Sequence, residues 1–476
     1  MHIQRILLLG LICCAPATLS ATELPHVTHY SLQVRLFPGD GRLEAVGTMT
    51  VTNKSTAAAS ELPFLLYRLL EVTRVDDGTG APLKFSQTIT RLAEPDDHNL
   101  QLNLVRVQLA KPLLPGATTN LTITYAGSIY GYSEIWQYVK DRIGEQYSLF
   151  RPDSLAYPML AEASHKSLLA AYGFEVPFTY DVNVTVPDGY VVACGGAQQT
   201  VGAKDGLSTF VFKSKIPTWR IDIAAANFKI VKDESKKLFV YVLPPDQKAA
   251  PAVLDGVSRA VKLYSDMFGA LPDYQGYTVI EIPDGWGSQA SDFYLMQVAS
   301  TFADTQHLAQ LYHEVAHSWN AKAKPEFRRT RWFDEAFAMY FQALAIREFE
   351  GEKAYRDEMD RDREIFIKRV QRDKRNFDTP IADYGKVELG GNSYTKGAWS
   401  LYVLHQLVGE EQFRLIMRAF LSEFREQPAD FKDFQRVAER ISGRDLSKYF
   451  NEWIYEATSS QLLSEKILVT DIAKRY

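Results

Sequence analysis

The feature that most constrains this chain is a change of hydrophobic period part-way along it. From His26 to about Lys232 apolar residues alternate with polar ones. The pattern is clear in His29-Tyr30-Ser31-Leu32-Gln33-Val34-Arg35-Leu36-Phe37, in Leu121-Thr122-Ile123-Thr124-Tyr125 and in Tyr180-Asp181-Val182-Asn183-Val184. A period of two is that of strands with one face buried, and Pro38-Gly39-Asp40-Gly41 and Pro187-Asp188-Gly189 supply the turn chemistry between them. Many short strands at this spacing predict an antiparallel sandwich or curved open sheet. Near residue 235 the character changes. Leu238–Val242 and Tyr277–Ile282 read as strands, Ala250–Phe268 has helical periodicity, and from Asp304 to Tyr455 the chain reads as mostly helical. The expected fold class is therefore α+β, with an all-β N-terminal domain followed by a mainly α catalytic-type domain.

Met1–Arg5 carries positive charge, Ile6–Ala15 is an apolar or small-residue run, and small residues follow to Ala21. That layout predicts a secretory signal over residues 1–21 and an exported protein, periplasmic or extracellular. No later stretch is apolar and long enough to read as a membrane span. Two of the three cysteines, Cys13 and Cys14, fall in the leader, so Cys194 would remain alone and no internal disulfide is expected. A net charge of −5 excludes a strongly basic nucleic-acid binder. The expected division is a β-rich domain over residues 22–232, a catalytic domain over 233–456 and a C-terminal tail over 457–476.

The chemistry concentrates in His313-Glu314-Val315-Ala316-His317. On a helix, residues four apart lie about 40° from each other, so both imidazoles project together and can share one ion. Zinc takes neutral imidazole nitrogens and a carboxylate, leaving a position for water. Glu314, about 100° round from His313, has the general-base position of a zinc hydrolase. Leu308, Leu311, Tyr312, Val315 and Trp319 fall on the opposite arc, which would bury one face and turn the histidines toward a cleft. The third ligand is read as Glu335, on a second helix whose Phe333, Phe337, Tyr340 and Phe341 form an apolar stripe. His165, His307 and His405 are read as structural.

These motifs give a resemblance. HEVAH, the downstream WFDEAFAMYF and Ser393-Tyr394-Thr395-Lys396-Gly397 are similar to those of the gluzincin family that contains membrane alanyl aminopeptidase and leukotriene hydrolase. Asp445–Trp453 resembles the same family's phenylalanine-tryptophan segment. The resemblance implies a saddle-shaped β domain packed on a thermolysin-like domain, one Zn2+ per chain and a peptide substrate. It also implies a carbonyl-polarising role for Tyr394 and a substrate-bordering strand at Gly287 and Ser288. Tyr394 has a physical case besides, since a phenol at a helix N-terminus lies in a positive field that favours donation to an oxyanion.

Three departures accompany the match. Seventeen residues separate His317 from Glu335 where the family has eighteen. The Gly-x-Met-Glu-Asn strand aligns with Gly287-Ser288-Gln289-Ala290-Ser291, so Ala290 stands where a glutamate would hold the substrate's amino group. Glu281, Asp284 and Asp292 are alternative anions. Little chain follows Trp453 to form the C-terminal helical domain of larger members. The expected function is an exported zinc metallopeptidase, aminopeptidase-like. The alternatives are an endopeptidase or other hydrolase, or a weakly active zinc-bearing binding protein. Oligomeric state is left open.

Overall fold

A computed structural model describes residues 24–93, 99–172, 176–287, 289–291 and 293–476. Residues 1–23, where the signal was expected, and Ser288 lie outside the described residues. The β-then-α layout is the one expected, and among the described residues it is built from four sheets. Seven strands form the largest, in the order Ala197–Lys204, Leu207–Lys213, Thr179–Pro187, His26–Phe37, Arg42–Thr52, Thr118–Ser128 and Leu70–Asp76. Alternation along His26–Phe37 places Tyr30, Leu32, Val34 and Leu36 in the core, as a one-sided strand requires. The sheet departs from the antiparallel expectation at one pair: His26–Phe37 runs parallel to Thr179–Pro187. Those two strands are far apart in sequence, so no hairpin constrains their direction. Four strands from Lys84–Arg91 to Met159–Leu160 make a second sheet, and Val191–Cys194, Ile223–Ala226 and Tyr147–Phe150 a third. Cys194 is a buried free thiol.

The fourth sheet belongs to the helical half. Its order is Lys229–Asp233, Leu238–Val242, Thr278–Ile282, Tyr294–Val298 and Gln289–Ser291. Two findings differ from the expected division. The strand Lys229–Asp233 pairs with Leu238–Val242, so the boundary drawn at 232 cuts through a strand of this sheet. The region 457–476 is not a loose tail: Thr458–Ser464 and Val469–Ala473 are helical, and Leu462, Leu463, Ile472 and Ala473 join the main helical core. Among the described residues no helix is long and apolar enough to cross a membrane.

Helix Ala309–Ala316 packs between Ala250–Phe268 and Phe337–Glu350. Its apolar arc is buried as anticipated, with Leu308, Leu311, Tyr312, Val315 and Trp319 all in the core. The Tyr264 hydroxyl lies 3.1 Å from the carbonyl oxygens of both Tyr312 and Phe341, tying the histidine helix to the helix that follows Glu335. Strand Gln289–Ser291 is the end strand of its sheet and runs beside the histidine helix.

Candidate metal centre

The histidine helix tightens at its end. Residues Ala309–Ala316 are α-helical, and His317–Trp319 continue as a 3-10 turn. The two imidazoles still converge, with ring centroids 4.8 Å apart and planes at 90°. Glu335 comes from a structure the periodicity did not anticipate. Instead of opening a regular helix, Trp332–Ala336 form a π turn that runs into Phe337–Glu350. The residue before it, Arg331, is left-handed at φ 58°. Such turns insert a residue into a helical path and re-aim a side chain. Here the turn buries Glu335 at 3% exposure and points it at the histidines.

Glu335 Oε2 lies 3.3 Å from His313 Nε2 and 3.7 Å from His317 Nε2. Donors around a tetrahedral zinc with bonds of about 2.0–2.2 Å are themselves about 3.4 Å apart, so these separations suit one ion. Oε2 is buried without a hydrogen-bond partner, whereas Oε1 is saturated by the Arg331 guanidinium and the Tyr394 hydroxyl. A buried carboxylate oxygen left free opposite two imidazole nitrogens is the chemistry a divalent cation completes. Among the described residues His313, His317 and Glu335 are the one such grouping of three, their ligand atoms within 4.8 Å of one another.

The surrounding charges fix how His317 is presented. Asp334 Oδ1 lies 2.8 Å from His317 Nδ1 and accepts from Asn320 Nδ2 at 2.7 Å. Donation to this carboxylate puts the proton on Nδ1 and leaves the Nε2 lone pair facing Glu335. Arg331 donates to Asp334 Oδ2 through Nε at 3.0 Å and Nη2 at 2.8 Å. Burial pushes the Asp334 carboxyl up, but Arg331 and His317 overcome it and hold it well below the usual carboxylate range. Burial and Asp334 also raise Glu335, and His313, His317 and Arg331 bring it below its ordinary value.

Glu314 is buried on the flank of the pair, and its Oε1 accepts from Gln310 Nε2 at 2.7 Å. Burial raises its pKa against the pull of the two histidines. Tyr394 closes a 3-10 turn, Gly390–Tyr394, before the helix Lys396–Val408. Its ring stacks on His313 at 6.0 Å and 12°. Burial and the Glu335 charge push the phenol up, so it keeps its proton and is available as a donor. Gly397 permits this approach: a Cβ there would come within 2.9 Å of Ala336 Cβ.

Gly287, at φ +77°, lies beneath Tyr138, whose Cβ would be 3.1 Å from a side chain placed there. Ser288, paired with it in the sequence reading, and Asp292 lie outside the described residues. The backbone of Ala290 pairs with Leu295 in the end strand. Of the alternative anions, Glu281 is fully buried and accepts from the Leu243 amide, and Asp284 accepts from the Ser300 amide. His307 pairs with Glu350 and His405 with Tyr340 and Glu410, as structural histidines do. Asp334, Asn320, Arg331 and Gln310 were not singled out from sequence. The one available signal was polar residues one, three or four positions from a ligand or base.

Residues 289–453 match the Peptidase family M1 domain. His313, His317 and Glu335, the grouping that could hold a metal ion, all lie within the matched residues. The fold is similar to that of an M1 zinc metallopeptidase from Deinococcus radiodurans (TM-score 0.63, 18% identity, covering 90% of this chain and 94% of that one). It is also similar to a two-domain M1 zinc metallopeptidase bound to L-arginine (TM-score 0.61, 18% identity, 92% and 94% covered). In sequence, the chain is 23% identical over 319 residues to Aminopeptidase 2, mitochondrial, of Saccharomyces cerevisiae, covering 63% of this chain and 32% of the relative. It is 23% identical over 272 residues to bovine (Bos taurus) glutamyl aminopeptidase, covering 52% and 28%. The chain thus spans about a third of the length of the curated relatives it matches.

Proposed function

We propose that this protein is a zinc-dependent peptidase that hydrolyses peptide bonds, with aminopeptidase-like action. The observation that carries the reading is the convergence of His313, His317 and Glu335 on one point, with Glu314 and the Tyr394 hydroxyl beside it. Zinc held by the three ligands would supply Lewis acidity, making water acidic enough to be deprotonated near neutral pH and polarising a carbonyl. Glu314 accepts the proton from the attacking water and passes it to the departing amine, a task suited to a carboxylate whose pKa burial has raised. Tyr394 donates its hydroxyl proton in a hydrogen bond to the oxyanion, exchanging Glu335 Oε1 for it. Asp334 holds the His317 tautomer.

Aminopeptidase action is supported by the relatives' names and by the structure of the Deinococcus enzyme bound to a Tyr-Ser-Ala substrate. A second reading, endopeptidase action, is favoured by Ala290, an apolar residue where an ammonium-binding carboxylate would stand. Export is proposed on the layout of residues 1–21 alone. Metal analysis with mapping of cut sites in matched peptides, free and acetylated at the N-terminus, tests the function. Chelator-sensitive release of N-terminal residues from the free peptides alone is expected. Equal cleavage of both replaces the aminopeptidase reading with the second, and no cleavage by zinc-loaded protein overturns the enzyme.

A further inference from the structure

Several arginines on the tyrosine side of the metal centre are matched by acids. Arg329 pairs with Glu388, Arg331 with Asp334 and Glu335, Arg361 with Glu358 and Arg363 with Asp360. Arg369, in the last turn of helix Glu352–Arg372, is not: among the described residues no carboxylate lies within ion-pair distance of it. Its Nη1 donates to Gly391 O and, at 3.3 Å, to Asn392 Oδ1, both neutral acceptors. The acid whose field reaches it, Asp362, is itself buried, and burial pushes that carboxyl well above its ordinary range. Asp362 therefore brings no full counter-charge. A half-buried guanidinium with neutral partners alone has surrendered hydration without gaining an anion, and its planar fork is suited to a carboxylate.

The place of Arg369 relative to the metal centre follows from the turn it touches. Gly391 and Tyr394 are three residues apart in the 3-10 turn Gly390–Tyr394, and at three residues per turn they lie on one side of it. Gly391 is exposed, and a Cβ placed on it would meet Arg369 Nη1 at 3.8 Å and nothing else within 4 Å. The space over Gly391 is thus open, with a guanidinium at its wall and Tyr394 along the same face. A rise of about 2 Å per residue separates the two positions by about 6 Å, roughly two residues of extended chain. We propose that Arg369 receives the C-terminal carboxylate of a short peptide whose scissile carbonyl lies at Tyr394. That carboxylate is the one anion a peptide brings whatever its sequence. The proposal rests on the peptidase reading above and names its substrate class: free-acid peptides with about two residues beyond the cut bond.

The test measures kcat/KM of zinc-loaded wild-type protein on a tripeptide and a hexapeptide, each as free acid and as C-terminal amide. The tripeptide acid should be cleaved roughly tenfold better than its amide, through KM, and the two hexapeptides at rates within roughly threefold of each other. Arg369→Gln should bring the tripeptide acid down to its amide, and Arg369→Lys should fall between. Lys368→Gln, which removes an exposed charge one residue away, should keep the preference. Equal rates for tripeptide acid and amide in wild type overturn the proposal. So does a preference that survives Arg369→Gln or disappears in Lys368→Gln. A tripeptide amide with glutamate as its third residue should remain slow; cleavage as fast as the free acid would assign Arg369 to an acidic side chain and overturn the terminal-carboxylate assignment. Phenylglyoxal labelling of zinc-loaded Glu314→Gln protein, mapped by mass spectrometry, needs neither turnover nor an Arg369 variant. The tripeptide acid should shield Arg369 and the amide should not, and equal labelling under both overturns the proposal. If wild-type protein cleaves no peptide, the peptidase reading fails, and the labelling still decides whether Arg369 takes a carboxylate.

Discussion

The charge on Asp334 should be worth one to two orders of magnitude in zinc affinity. Asp334 Oδ1 receives His317 Nδ1 at 2.8 Å and Asn320 Nδ2 at 2.7 Å, while Oδ2 faces Arg331. In Asp334→Asn the amide oxygen can keep the His317 contact, but as a neutral bond of about half the strength of a charge-assisted one. Its NH2 then meets the Arg331 donors, and Arg331 is left with Glu335 alone, drawing charge from a ligand. In Asp334→Ala the imidazole loses its acceptor entirely. Partners of metal-bound histidines typically contribute ~10–100-fold to affinity. The asparagine variant should therefore bind zinc about tenfold more weakly and the alanine variant about 100-fold, or ~1.4 and ~2.7 kcal/mol. Competition with a fluorescent zinc chelator at fixed pH measures this, with circular dichroism to confirm folding. Affinities of both variants within twofold of wild type would refute the argument that Asp334 sets the His317 tautomer and basicity.

Glu314→Gln should keep one zinc per chain and lose ~10²–10⁴ in kcat, because it removes a general base and no ligand; peptidase activity retained by the variant would remove Glu314 from the mechanism. Gln310→Ala removes a hydrogen bond that favours the charged form of Glu314, so the Glu314 pKa should rise further. Since the base works only when deprotonated, the acid limb of kcat/KM should move to higher pH, which a pH–rate profile reads directly. Gly397→Ala forces a methyl against Ala336 Cβ and should cost ~1–3 kcal/mol in denaturant unfolding. Activity should fall with it as Tyr394 is moved off Glu335.

The histidine pair was legible because its geometry is local: four residues of helix bring two rings together whatever the rest of the chain does. The buried arc from Leu308 to Trp319 followed from the same period. Glu335 was found by its motif, but the stripe argument gave the wrong local structure, since a π turn after a left-handed Arg331 aims the carboxylate. Nothing in a 3.6-residue period announces an inserted residue. The Arg331–Asp334–His317 chain was missed for that reason, its members being brought together by that turn. Strand Tyr294–Val298 was also missed: buried along most of its length, it shows no alternation. The parallel pairing of His26–Phe37 with Thr179–Pro187 depends on a contact about 150 positions apart, which no window of sequence contains.

The Tyr264 phenol shares its proton between one carbonyl on each of the two helices that flank the ligand set. The ligands are thereby mounted on scaffolding that owes nothing to the ion. A chelated sample should stay folded and take zinc back without reassembling its interior, so the rate of reloading reflects desolvation and proton release at the donors. Cutting that strut, as in Tyr264→Phe, would leave the two helices joined by their apolar packing alone and free the Tyr312 and Phe341 carbonyls of their shared donor.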